Sequence, residues 1–183
     1  EIDSPALQWT RNLFLFSYYC QGMAIVDMAY LTDKNILLFE NGRFICYRRH
    51  KTESKKAKII QIKITDNIQS LLTWFKKNTK LVDDYLLPVI TKKGYDGQQL
   101  YDHIRDRNRK FNKHLKTLGN DLKFEGIMLS SYQARHSYAM RLKNNGISED
   151  VISEALGHKD LATTKTYLDS FASEVIAKAN EVL

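Results

Sequence analysis

Between Ile36 and Ile64 the helical period of this chain gives way to short apolar runs and a stretch that alternates every two residues, whereas the segments on both sides read as helical. That single interruption constrains the fold most. A run that alternates in and out cannot sit in a helix bundle, so the chain must place one small sheet early and build everything else from helices. Ile36 to Phe39 is apolar, Asn41-Gly42 is a hairpin-turn signal, and Arg43 to Arg48 resumes the run. Ile60, Ile62 and Ile64 fall on one face of a third run, with Gln61 and Lys63 on the other. A basic link, His50 to Lys56, joins the second and third runs. The reading is mainly α (α+β), a helical bundle with a small three-stranded antiparallel sheet.

Helices account for the remainder. Ser4-Pro5 predicts a capped start for a buried helix reaching Cys20, with Gly22 ending it and a second apolar helix over Met23 to Leu31. Ile68, Leu71, Leu72 and Phe75 share a helical face. Tyr95 to Leu118 carries Leu100, Ile104, Phe111 and Leu115 at helical spacing and is expected to close at Gly119. Three more helices follow, over Tyr132 to Asn145, over Ser148 to Leu156, and after Asp160. Phe171 to Leu183 reads as an amphipathic tail helix.

The chain has 28 Lys and Arg against 21 Asp and Glu, a net charge of +7, which favours a polyanionic partner. Its 183 residues suit one domain. The opening Glu1-Ile2-Asp3, without an initiator methionine, is the start expected of a fragment of a longer protein. Cys20 and Cys46 lack metal-ligand spacing and are too few for a disulfide scaffold, so they read as reduced core thiols. No metal, cofactor, small-molecule substrate or membrane association is expected.

The chemistry concentrates between Ser131 and Asp169, in Tyr-Gln-Ala-Arg-His-Ser (132 to 137), Leu-Gly-His (156 to 158) and Thr-Thr-Lys-Thr-Tyr-Leu (163 to 168). Phosphoryl transfer needs a nucleophile, donors for the non-bridging oxygens and an acid for the leaving oxygen. Arg135 offers a planar fork that fits two phosphate oxygens. His158 stands nine positions before Tyr167, a hydroxyl nucleophile. Leu156-Gly157-His158 also has the form of a Schellman helix ending.

Arg135, Leu156-Gly157-His158, Thr164 and Tyr167 together resemble the C-terminal signature of the tyrosine recombinase or phage integrase family. Upstream, Gly22-Met23 and Asp27 to Leu31 resemble the family's first box, and Lys51-Thr52 stands where its β-hairpin lysine is expected. The wording around Asp27 is similar to integrases of bacterial conjugative and mobile elements. The resemblance implies the catalytic domain alone, residues 1–183, without the N-terminal core-binding domain. It implies double-stranded DNA as partner and cleavage through a 3′-phosphotyrosyl link on Tyr167. Arg135 and His158 would hold the phosphate, and Lys51 would protonate the leaving 5′-oxygen. Strand exchange for integration, excision or inversion would occur in a tetramer joined through the tail, 171–183. A bacterial cytoplasm, at the nucleoid, is the implied location.

Two positions depart from the family pattern. Tyr132 stands where the family has histidine; a phenol hydrogen-bonds a phosphate but carries no positive charge near neutral pH. Ala24 stands where the first-box arginine is expected, and Arg43, Arg48 or Arg49 of the hairpin is the candidate replacement. Arg48, Arg49, Lys55, Arg105 and Arg109 are the expected DNA contacts, although Asp102 and Asp106 offer Arg105 and Arg109 acidic partners. The departures leave a second reading, a cleavage-impaired DNA-binding relative, and a more distant third, a type IB topoisomerase-like enzyme.

Overall fold

The computed structural model describes residues 2–50, 58–124, 128–158, 160–166 and 168. Helix α1 (Pro5–Tyr19) begins at Ser4, whose carbonyl accepts the Leu7 and Gln8 N–H groups while its hydroxyl makes no cap bond. Trp9, Leu13 and Phe16 are buried on it, as are Thr10, Asn12 and Ser17. A helix buried on so many sides belongs at the centre, and α1 packs against α3, α4 and α5.

After Cys20 the chain reverses through Gln21 (φ 59°) and Gly22 (φ 69°) into α2 (Ile25–Ala29). This helix is shorter than Met23 to Leu31. The Asn35 side-chain oxygen accepts the Thr32 N–H at 2.9 Å, and that local bond starts a single 3-10 turn, Asp33–Asn35, in place of further α-helix.

The sheet has the expected order and sense. Strand β1 (Ile36–Phe39) pairs antiparallel with β2 (Gly42–Tyr47), which pairs antiparallel with β3 (Ile60–Lys63). Ile45 lies opposite Ile36 on one side and Ile62 on the other. Ile60 and Ile62 are buried while Gln61 and Lys63 are exposed, as the alternation requires. The hairpin turn is one residue earlier than Asn41-Gly42: Glu40 and Asn41 form it, and Gly42 is already paired with Phe39 at φ 125°.

Helix α3 (Asp66–Asn78) buries Ile68, Leu72 and Phe75, and α4 (Gly97–Asp121) buries Ile104, Phe111, Leu115 and Leu118. Helix α4 runs through Gly119 instead of closing there. Gly119 is buried within the helix, and Lys123 (φ 55°) makes the left-handed exit. Helices α5 (Ser131–Asn144) and α6 (Glu149–Leu156) follow. A further helical stretch, α7 (161–166), starts from Asp160, whose Oδ1 accepts the Thr163 N–H at 2.7 Å.

Among the described residues two hydrophobic clusters result. The large one joins α1, α2, the sheet, α3 and α4. The small one consists of Ala139, Ile152, Leu156 and Leu168, and it attaches α6 and the Leu168 segment to α5. Cys20 and Cys46 are both buried free thiols.

Candidate active site

Helix α6 ends in a Schellman motif: the His158 N–H bonds the Ser153 carbonyl and the Gly157 N–H bonds the Glu154 carbonyl, each at 3.0 Å. Gly157 takes φ 63°. A Cβ there would lie 2.8 Å from Ile60 Cδ1 and 3.3 Å from Arg49 Cδ, so the glycine also lets the sheet and Arg49 approach the helix end. The motif leaves the Leu156 and Gly157 carbonyls pointing outward at the negative end of the helix dipole.

Two guanidinium groups occupy that end. Arg135 of α5 donates through Nη2 to the Leu156 oxygen and through Nη1 to the Gly22 oxygen at 3.4 Å. Arg49, just beyond β2, donates through Nη1 to the Leu156 and Gly157 oxygens, each at 3.4 Å. Gly22 is what brings Arg135 in. A Cβ on Gly22 would fall 2.4 Å from Arg135 Cα, so no side chain fits between α5 and the turn after α1.

Asp27 braces the other side of Arg49. Its Oδ2 is 4.0 Å from Arg49 Nε, its Oδ1 accepts the His50 backbone N–H at 2.7 Å, and its side chain is buried. Burial raises the carboxyl pKa; the His50 N–H bond and the charges of Arg49, His50 and Arg135 oppose that rise. His50 stacks on Tyr30 with ring centroids 4.5 Å apart. The pair borders a cavity of about 510 Å³ that Asp27 and Arg48 also line. Neither His50 nor Tyr30 stands out in the sequence, because stacking across 20 residues leaves no periodic trace.

His158 completes the cluster. Its Nδ1 is 2.7 Å from the hydroxyl of Thr164, which is fully buried. Burial first, then the charges of Arg135 and Arg49, hold the imidazole pKa down at about 4, with Asp160 pulling the other way. The imidazole is therefore neutral at pH 7.

Arg135, Arg49 and His158 thus meet at one point. Tyr132 is exposed at the first turn of α5, one helical turn before Arg135. Arg48 is exposed beside the cavity. Arg43 points away, its Nη1 on Gln69 Oε1 at 3.1 Å. Arg105 and Arg109 are exposed and paired with Asp102 and Asp106, each at 3.1 Å. Lys51, Lys55, Tyr167 and the tail from Phe171 to Leu183 lie outside the described residues. Among the described residues no group of His, Cys, Asp and Glu side chains is arranged to hold a metal ion, and no helix is long and apolar enough to cross a membrane.

This fold, a helical bundle with one three-stranded sheet among the described residues, is that of tyrosine-recombinase catalytic domains. It is shared with the Tn1549 transposon integrase solved in complex with a circular intermediate DNA (TM-score 0.61, 20% identity, 96% of this chain and 60% of that one). It is shared also with the XerH site-specific recombinase bound to difH substrate (TM-score 0.61, 22% identity, 94% of this chain and 47% of that one). In sequence the chain is 30% identical over 175 residues to tyrosine recombinase XerC of Rickettsia bellii, covering 90% of this chain and 48% of that protein. It is 30% identical over 132 residues to the probable integrase/recombinase protein MJ0367 of Methanocaldococcus jannaschii, covering 72% and 37%. The chain spans about half the length, or less, of these curated relatives. Residues 2–174 match the model of the phage integrase family, and the chain belongs to that family.

Proposed function

We propose that the chain is the catalytic domain of a site-specific DNA recombinase that cuts and rejoins double-stranded DNA through Tyr167. The observation that carries this reading is the convergence of Arg135, Arg49 and His158 at the C-terminal end of α6. The Tyr167 oxygen attacks phosphorus as the bond to the 5′-oxygen breaks, which leaves a 3′-phosphotyrosyl link. Lys51 gives a proton to the departing 5′-oxygen, and the tyrosine proton passes to solvent or a neighbouring base. Arg135 and Arg49 neutralise the charge that builds on the non-bridging oxygens, while Tyr132 adds a neutral donor. Arg49 thereby takes the part that Ala24 leaves vacant. The bond energy stays in the covalent link, so rejoining needs no nucleotide cofactor.

Arg48, Lys55, Arg105 and Arg109 hold the DNA backbone, and the tail, 171–183, joins protomers of a tetramer that performs integration, excision or inversion. That the neighbours include a transposon integrase and a recombinase solved with DNA supports DNA as the partner.

A second reading rests on Ala24 and Tyr132: a DNA-binding relative whose cleavage is lost. A nicked suicide substrate separates the two. A covalent protein–DNA band that disappears in Tyr167→Phe is expected. No band from the unaltered protein, on DNA that a mobility-shift assay proves to be bound, establishes the second reading instead.

A further inference from the structure

Thr164 is a polar residue with no exposed surface, set in the short helix α7. A threonine hydroxyl in a helix ordinarily returns its proton to the carbonyl four residues back. Here it does not. Among the described residues its one hydrogen-bond partner is His158 Nδ1, at 2.7 Å. The hydroxyl has one proton to give and lone pairs to spare, and a buried donor left unmade costs more than an unused lone pair. With a single partner, the hydroxyl satisfies its donor only by donating. Nδ1 is then the acceptor, and the imidazole proton must sit on Nε2.

We propose that Thr164 is a positioning residue of the site: its hydroxyl donates to Nδ1 and holds His158 as the neutral Nε2–H tautomer. The imidazole then presents the phosphate with an N–H donor, and not with a lone pair. The inference rests on the reading above that His158 faces the scissile phosphate.

The charged surroundings agree with a neutral ring. Arg135 from α5 and Arg49 from the end of β2 oppose a second proton on the imidazole, and Asp160, exposed at the start of α7, favours it. An imidazolium would also carry a proton on Nδ1, and Thr164 would have to turn its own proton into a buried space with no acceptor among the described residues. One consequence separates this arrangement from general-base catalysis. A nitrogen that already bears its proton cannot take the proton of Tyr167, so His158 acts as a hydrogen-bond donor to phosphate and the tyrosine proton leaves by another route.

The test begins with the ¹⁵N-labelled chain at pH 7 without DNA. Long-range ¹H–¹⁵N correlations should identify His158 as the Nε2–H tautomer, and Thr164→Val should mix in or reverse the tautomers while Thr164→Ser keeps them. A wild-type Nδ1–H tautomer overturns the proposal, as does a Thr164→Val spectrum with the tautomer unchanged. The wild-type spectrum alone decides the first point even where Thr164→Val fails to fold. With a nicked suicide substrate, Thr164→Val should slow covalent-complex formation by about tenfold to a hundredfold at unchanged DNA affinity, and Thr164→Ser should restore most of it. Equal rates for Thr164→Val and wild type overturn the positioning role. A covalent band that survives in Tyr167→Phe strikes the proposed function instead and leaves the tautomer result standing.

Discussion

Arg49 and Arg135, 86 positions apart in the chain, donate to the same backbone oxygen, the carbonyl of Leu156. Two like charges share that site because the negative end of α6 and the Asp27 carboxylate both attract them. A neutral carbonyl is nevertheless a weaker acceptor than a phosphate, whose charge-assisted bonds are roughly twice as strong. Under the proposed function, a scissile phosphate would compete with the Leu156 carbonyl for both guanidiniums.

Two of the candidate replacements for the missing first-box arginine, Arg49 and Arg43, differ accordingly. Arg49→Ala should lower the rate of covalent-complex formation by about a hundredfold, the scale of one lost oxyanion donor. Arg43→Ala, which loses only its exposed contact with Gln69, should stay within about twofold of wild type. Suicide-substrate kinetics on the two variants decide it, and equal losses would exclude the assignment of Arg49.

Two glycines should resist substitution to different degrees. Gly157→Ala forces a left-handed alanine against Ile60 Cδ1, a movable side-chain tip, and should cost about 1 to 2 kcal/mol. Gly22→Ala drives a Cβ into the Arg135 backbone, and should cost roughly 3 kcal/mol or more. Chemical denaturation of both variants measures the difference.

His158 should make stability depend on pH. Its folded pKa, about 4, lies below the ordinary value of 6.5. Between those values the unfolded chain binds more protons than the folded one, so stability rises with pH through the window and falls as pH drops from about 6.5 to about 4. His158→Gln should flatten that part of the curve. Melting temperatures of both proteins from pH 4 to 7 provide the check, and parallel curves would contradict the burial of the ring.

Leu168→Ala removes a fully buried side chain from a cluster of four residues. The expected cost is about 2 to 5 kcal/mol. Loss of amide-exchange protection should be largest in α7 and small in α1, because the large core does not include Leu168.

Arg105 and Arg109 should contribute charge without sequence preference. Replacing both by Gln should weaken DNA binding on every sequence alike and reduce the slope of log affinity against log salt by about two. A slope that stays unchanged would mean that their pairing with Asp102 and Asp106 is their whole role.

Much of the fold was legible because it rests on local signals. The two-residue period around Ile60 and Ile62, the Asp160 start of α7 and the Gly157 ending of α6 are each written within a few consecutive residues, and each is met in the structure. Where neighbouring signals compete the sequence is less decisive: Gly119 reads as a stop, yet it is buried inside α4 and the left-handed exit falls on Lys123.

The sequence by itself determined the class of architecture and the family. Period, capping and motif spacing are short-range, and one chain displays them completely. Only the tertiary structure decided which hairpin arginine joins Arg135, that Asp27 and His50 brace it, and that the Thr164 hydroxyl meets His158 Nδ1. Arg43, Arg48 and Arg49 are alike in charge and lie on one short run. What tells them apart is which one the strand's end and Gly157 direct at the C-terminal end of α6, a meeting across more than 100 residues that no local pattern encodes.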